Sequence, residues 1–197
     1  MALTMHRKGE NRYVHSLIQN LADIPGGVTV QTSELIHGSV LLEGTVISTK
    51  DTAGICHVIK TAKVVATAAK DSTTIKVAKG SQLKVGDILT KTKGKAAVAI
   101  KSIDYTDTTF DLITINLNET TGLEALVAGD ALVQAKAAGA NGSEFKYKPL
   151  AMVGDFHDVK ADDNLWVPAV VIGTFKASVI PAISTELLAE LKGIVVL

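Results

Sequence analysis

The amino-acid sequence predicts a mostly β fold, built from a small antiparallel β-barrel and a β-rich C-terminal block with one short helix. Two observations indicate this fold class. Hydrophobic residues make up 47% of the 197 positions and aromatic residues only 4%, so Val, Ile, Leu and Ala supply most of the apolar mass. β-Branched side chains pack well on a pleated surface. Short apolar runs are also separated by breaks containing Gly or Asp, which is typical of strands joined by tight turns.

Residues 1–27 form a distinct N-terminal segment, predicted to be an ordered arm or a short amphipathic helix. The apolar residues between Val14 and Leu21 recur at helical spacing and would lie on one helix face. Pro25 and the two glycines that follow it would end such a helix.

Residues 28–136 are predicted as a β-rich region with the barrel at 72–135. Within it, the sequence LKVGDIL at 83–89 is echoed by LVAGDAL at 126–132. Glycine tolerates a positive φ and aspartate bonds back to the local backbone, so each Gly-Asp pair predicts a turn before a strand. The two occurrences are either similar loop-to-strand connections in one barrel or the mark of a duplicated unit.

The C-terminal part begins after a small, polar stretch at 137–143, which is predicted as a linker or loop. Residues 144–197 are predicted as a β block that contains a helix at 184–192. Ser184 is a suitable N-cap and Gly193 a suitable residue just past the helix. The apolar run IVVL at the end of the sequence predicts a last strand that pairs into a sheet.

A search for chemistry in the sequence predicts no catalytic, cofactor-binding or metal-binding residues, and therefore no enzyme. The five histidines lack the close spacing of zinc ligands. The single cysteine, Cys56, precedes His57, and neighbouring strand residues point to opposite faces, so a buried structural cysteine is expected. The aspartates between Asp155 and Asp163 flank His157 in the sequence. Their spacing differs from that of the ligands in a calcium-binding loop, which favours a solvated turn over a divalent-ion site.

Charge and hydropathy restrict the partners. Lys+Arg and Asp+Glu both number 20, so the basic surplus that attracts nucleic acid is missing. No apolar run is long enough to predict a membrane span. The lysine-rich KTKGK at 91–95 is expected to be a solvated hairpin turn, and Trp166 to be an anchor in the core or in an interface.

Several segments resemble phage head fibre and capsid-decoration proteins, notably those of phages of Bacteroides-type hosts. The resemblance covers roughly residues 35–197. The segments that carry it are GICHVIKTAKVVATAAKDSTTIKVAKGSQLKVGDILT, IKSIDYTDTTFDLITINL, LVAGDALVQA and VIGTFKASVIPAISTELLAELKGIVVL.

The resemblance implies a structural virion protein on the outer capsid surface, assembled in the host cytoplasm. It implies a homotrimer anchored on the major capsid protein, as the base or knob of a head fibre. No active-site residues follow from it. The candidate docking residues for the capsid are Arg7, Lys8, Arg12 and Tyr13, in the N-terminal segment.

Two alternatives come from other functional classes. A hydrolase or lyase on a β scaffold would use His57 or His157 with nearby aspartates, and it predicts that two such residues converge in a concave pocket. A carbohydrate-binding module predicts a planar, exposed set of rings. The rings available for such a set are Tyr13, Tyr105, Tyr147 and Trp166.

Overall fold

The computed structural model describes residues 13–117, 122–161 and 163–197, and it confirms the mostly β fold class. Within these residues, fifteen strands accompany one short helix. The strands are β1 (Leu17–Asp23), β2 (Val28–Val30), β3 (Val40–Leu41), β4 (Val46–Ser48), β5 (Thr61–Lys63), β6 (Thr74–Ala78), β7 (Ile88–Thr90), β8 (Ala97–Asp104), β9 (Phe110–Ile115), β10 (Ala131–Gln134), β11 (Pro149–Val153), β12 (His157–Asp158), β13 (Leu165–Val167), β14 (Ala169–Phe175) and β15 (Ile194–Val196), and the helix is α1 (Thr185–Glu190).

A five-stranded sheet joins strands from both ends of the chain. Its order is β1-β14-β11-β4, and β15 adds to β14 in parallel. Two short antiparallel pairs, β2 with β13 and β3 with β12, accompany this sheet. Residues 28–136 thus contribute to both sheets, because β2, β3 and β4 all pair with C-terminal strands. Apolar alternation identifies a strand, but it does not identify the strand's partner.

A six-stranded antiparallel sheet is inserted between the two halves of the first sheet. Its order is β5-β10-β7-β8-β9-β6. Among the described residues, the end strands β5 and β6 meet through the Val64↔Val77 bridge, beside which the N–H of Val65 donates to the carbonyl of Lys76 at 3.0 Å. The predicted barrel is thus not closed. Because β5 is only three residues long, it cannot form a continuous ladder with β6, and the sheet is rolled with its ends in contact.

The two Gly-Asp turns have the same hydrogen bonding. The N–H of Gly86 donates to the carbonyl of Ile100 at 2.9 Å, and the N–H of Ile100 donates to the carbonyl of the next residue in the turn, Asp87, at 2.8 Å. In the second turn, the N–H of Gly129 donates to the carbonyl of Val64, and the N–H of Val64 donates to the carbonyl of Asp130, both at 2.8 Å.

The register of the rolled sheet relates its two halves by an approximate two-fold axis. β7 and β10 pair at Thr90↔Val133, and these two residues directly follow the two echoed sequences. β6 and β9 pair antiparallel through Ile75↔Ile113, near the centre of their ladder. The half made of β5, β6 and β7 thus matches the half made of β8, β9 and β10, which favours the duplicated unit.

Three apolar clusters form the core. One fills the interior of the rolled sheet, and the other two cover the two faces of the five-stranded sheet. Neighbouring residues along one strand point to opposite clusters, as Val46 and Ile47 do in β4. Val133 of the rolled sheet packs in the same cluster as Met152 and Phe175, so the two sheets share a core.

Residues Leu17–Asp23 form strand β1, so the predicted N-terminal helix is wrong over this range. β1 pairs antiparallel with β14, and its register shifts between Leu17 and Gln19, between Asn20 and Ala22, and between Ala22 and Asp23. Each bulge adds an unpaired residue and interrupts the alternation of a regular strand. The resulting spacing of apolar residues imitates that of a helix. Residues 1–12 lie outside the described part of the chain.

The helix and the last strand of the C-terminal block form as predicted, with a shorter helix. The hydroxyl of Ser184 accepts the N–H of Leu187 at 3.1 Å, which confirms the N-cap, and the helix ends at Glu190 rather than at 192. The final apolar run pairs with β14 as β15. The stretch 137–143 is a mostly exposed loop that is attached to the rolled sheet, because Gly139 exchanges backbone hydrogen bonds with Ala97 at 2.9 and 3.0 Å.

Candidate interaction surface

Of the predicted docking residues, Tyr13 lies within the described part of the chain, and Arg7, Lys8 and Arg12 lie outside it. Tyr13 is half-exposed, and its ring stacks on Phe156 with centroids 5.1 Å apart. Together with Val14, these two rings border a cleft of about 370 Å³. We call these three residues the Tyr13 corner. Phe156 had no signal in the sequence, since its role depends on a contact with a residue far along the chain.

A second cleft of about 220 Å³ adjoins the first and shares several lining residues with it. The charged side chains that line the second cleft are Lys60, Lys63 and Lys79, and Lys79 also lines the first cleft. Two of these lysines are paired within the fold, Lys60 with Asp87 and Lys79 with Asp111, each at 2.7 Å. The clefts are therefore mainly apolar, and most of their positive charge is neutralised.

His57 lies in a cluster of polar side chains, as the hydrolase hypothesis requires. Its Nε2 lies 3.2 Å from a carboxylate oxygen of Asp51, and its Nδ1 lies 3.9 Å from one of Glu34. Its ring stacks on Tyr147, with centroids 4.4 Å apart. Burial raises the pKa of Glu34, but hydrogen bonds from Lys146 and Tyr147 outweigh burial, so this pKa lies below its usual value. Burial and the contact with Glu34 raise the pKa of Tyr147.

The partners of His57 also hold loops in place. The other carboxylate oxygen of Asp51 accepts the N–H groups of Ala53 and Ile55 at 2.8 and 2.9 Å. The bond from Ile55 is the main reason that the pKa of Asp51 is lowered. None of the clefts described for this chain is lined by His57 or Asp51. The residues converge, but in a packed contact between loops rather than in a pocket.

His157 and the aspartates around it lie apart from the His57 cluster. His157 belongs to β12 and pairs with Leu41, and burial lowers its pKa. Asp155 accepts the N–H of Phe156 at 2.7 Å, which is a turn contact. Asp162 is outside the described residues; among those described, no three His, Cys, Asp or Glu side chains are grouped so that they could hold a metal ion.

The remaining residues singled out in the sequence have structural contacts. Cys56 is fully buried in an apolar cluster, and burial raises its pKa. The KTKGK turn is not simply solvated, because the ammonium of Lys93 contacts Glu190 of α1 at 2.7 Å. Trp166 is 57% exposed, which excludes the core, and its Nε1 donates to the carbonyl of Gly26 at 2.7 Å. Tyr105 is exposed on the turn between β8 and β9 of the six-stranded sheet, whereas Trp166 lies in the separate β2–β13 pair.

An uncharged apolar surface lies on the five-stranded sheet where β1, β14 and β15 run side by side. Within it, Ala22 pairs with Ile172, Gln19 with Thr174, and Thr174 with Val195. The bulges of β1 place one extra apolar residue just before Gln19 and another just before Ala22. We call this surface the outer sheet face, and its exposed apolar residues are Ile18, Leu21, Ile172, Val195 and Leu197.

The sequence did not predict the outer sheet face. The apolar residues of β1 were placed on one face of a short helix or in an ordered arm, and those of β15 in a strand within a sheet. A hydrophobic pattern shows which residues share a face, but it does not show whether another element covers that face.

Comparison with protein-family models, with curated proteins and with solved structures gave no match. The helix found among the described residues is too short to cross a membrane.

Proposed function

We propose that this chain is a structural virion protein that decorates the outside of a phage capsid. In this proposal it serves as the base or knob of a head fibre, forms a homotrimer, and docks on the major capsid protein. The resemblance of residues 35–197 to head fibre and decoration proteins motivates the proposal.

One structural observation carries the proposal: the chain exposes two separate apolar surfaces, the outer sheet face and the Tyr13 corner. Exposed apolar patches mark contacts with other proteins. A decoration protein needs one contact with its own copies and another with the capsid. His57 and Asp51, which a hydrolase would use, instead form contacts between loops.

The Tyr13 corner is the proposed docking surface on the capsid. It combines a stacked aromatic pair with the cleft beside it, and Arg7, Lys8 and Arg12 precede it closely in the sequence. Aromatic and Arg side chains are enriched in protein interfaces. This composition fits a capsid surface that presents apolar and acidic groups.

The test is co-sedimentation with capsids assembled from the major capsid protein. We expect the wild type to pellet with them, and a variant with Arg7, Lys8 and Arg12 changed to Ser and Tyr13 changed to Ala to bind at least about tenfold more weakly, a change of about 1.4 kcal/mol. A matched control changes three exposed lysines elsewhere, Lys70, Lys136 and Lys192, to Ser and retains binding. Wild-type protein that stays in the supernatant at micromolar concentration overturns the proposal.

A further inference from the structure

We infer that the outer sheet face is the surface through which copies of this chain bind one another. The inference deepens the proposed function, on which it rests for its biological setting. It assigns self-assembly to the outer sheet face and leaves the Tyr13 corner for the capsid.

The exposed apolar area is large enough to form the centre of such a contact. The five apolar residues of the outer sheet face are between 44% and 71% exposed. Together they present on the order of 500 Å² of apolar surface, comparable to the largest patches on typical monomers. A standard interface buries roughly 800 Å² on each partner. The adjoining polar residues Gln19 and Thr174 extend the apolar centre towards that value.

The absence of charge selects another copy of the chain as the partner. In a symmetric assembly, residues near the symmetry axis contact the same residues of the other copies. A charged residue there would face a like charge, which is unfavourable. Besides the five apolar residues, the described side chains that pair within the outer sheet face are Gln19, Ala22 and Thr174, all uncharged. The chain also has equal numbers of basic and acidic residues, so copies do not repel one another at long range.

The bulges of β1 favour contact through the face over contact through the strand edge. β1 pairs with β14 on one side, and no other described strand pairs with its second side. Two register shifts each add a residue to β1, one between Leu17 and Gln19 and one between Asn20 and Ala22, and so interrupt the regular spacing of its N–H and C=O groups. Bulges of this kind oppose pairing with an additional strand. The bulges also accompany exposure of Ile18 and Leu21, which enlarges the apolar face.

The first experiment measures the mass of the full chain in solution by light scattering after gel filtration. We expect the wild type to be oligomeric and a variant with Leu21→Lys and Val195→Lys to be monomeric. The matched control carries Val85→Lys and Val127→Lys, at valines of similar exposure on the two Gly-Asp turns, and remains oligomeric. A monomeric wild type at micromolar concentration, or an oligomeric face variant, overturns the inference.

A second readout needs no disruptive substitution. Val195→Cys and Val127→Cys each place a thiol on the surface, and the native Cys56 is buried. Maleimide should modify Cys at position 195 at least about tenfold more slowly than Cys at position 127, because an interface excludes the reagent. Equal rates overturn the inference. Neither experiment contains capsids, so a failure here leaves the capsid co-sedimentation as a separate test of the proposed function.

Discussion

Two aspartates with the same sequence context, Asp87 and Asp130, have different electrostatic surroundings. The carboxylate of Asp87 accepts hydrogen bonds from the ammonium of Lys60 at 2.7 Å and from the side-chain amide of Gln134 at 2.8 Å. The side chain of Lys60 is only 2% exposed. Asp130 accepts the ammonium of Lys91 at 2.8 Å, and both partners are partly exposed. Burial lowers the pKa of Lys60, and Asp87 opposes that effect. Asp87 is therefore the charged partner that offsets the burial of the Lys60 ammonium.

We expect Asp87→Ala to lower the free energy of unfolding by about 3–5 kcal/mol, because it leaves the Lys60 ammonium buried without a partner. Asp130→Ala is the matched control. It removes the equivalent turn contact but exposes Lys91 to water, and should cost about 1–2 kcal/mol. Urea denaturation of both variants measures the difference. Equal losses would show that Lys60 finds another partner or is solvated.

The sequence predicted the two Gly-Asp turns, but not the difference between them. Glycine and aspartate act through local backbone geometry, which depends on a few adjacent residues. The burial of Lys60 depends on Asp87 and Gln134, which the fold brings together from distant strands. For the same reason the cluster of His57, Asp51 and Glu34 was only partly predicted: the adjacency of Cys56 and His57 gave no information about Glu34.

At the level of elements, β1 shows how a strand is mistaken for a helix. Its bulges place apolar residues at spacings of three and four, which is the period that predicts an amphipathic helix. β9, whose buried residues alternate regularly, lies within the range 72–135 that was predicted as antiparallel β structure. Sequence periodicity is therefore a reliable guide where the ladder is regular, and it fails where bulges shift the register.

The connection between β3 and β4 should be sensitive to one added methyl group. Gly44 has a φ of +81° there, and a Cβ would overlap the side chain of Ile180. Gly38 has a φ of +79°, but a Cβ at that position would meet open space. We expect Gly38→Ala to cost about 1–2 kcal/mol from the left-handed backbone alone. Gly44→Ala should cost about 1–3 kcal/mol more, from overpacking.

Thermal unfolding followed by circular dichroism separates the two glycine effects, since both variants share the backbone strain. The midpoint of Gly44→Ala should lie below that of Gly38→Ala. Identical midpoints would mean that Ile180 moves aside without cost.

In the whole molecule, the two sheets share a core and are therefore expected to unfold as one cooperative unit. Val133 and Ile59 pack in one cluster with Met152 and Phe175 of the five-stranded sheet. The ion pair of Lys60 with Asp87 also links the segment before β5 to the strands that follow. The β class was predicted from composition, whereas this arrangement was not, since it depends on pairing between residues from opposite ends of the chain.

We expect a single unfolding transition in urea. Trp166 is the only tryptophan and belongs to β13, which pairs with β2, so its fluorescence reports on the elements that accompany the five-stranded sheet. Far-ultraviolet circular dichroism reports on all strands. The two signals should give the same midpoint and slope within error. Separate midpoints would show that the rolled sheet unfolds independently.

The pairing of β1 with β14 also sets an order of events while the chain is being made. β1 is synthesised before the strands of the rolled sheet, but β14, with which it pairs, is synthesised after them. The rolled sheet lies between the two in the chain and is built from residues that are closer together. Until β14 is made, Ile18 and Leu21 lie on a segment without its partner strand, and we expect association between nascent chains to compete with folding at that stage.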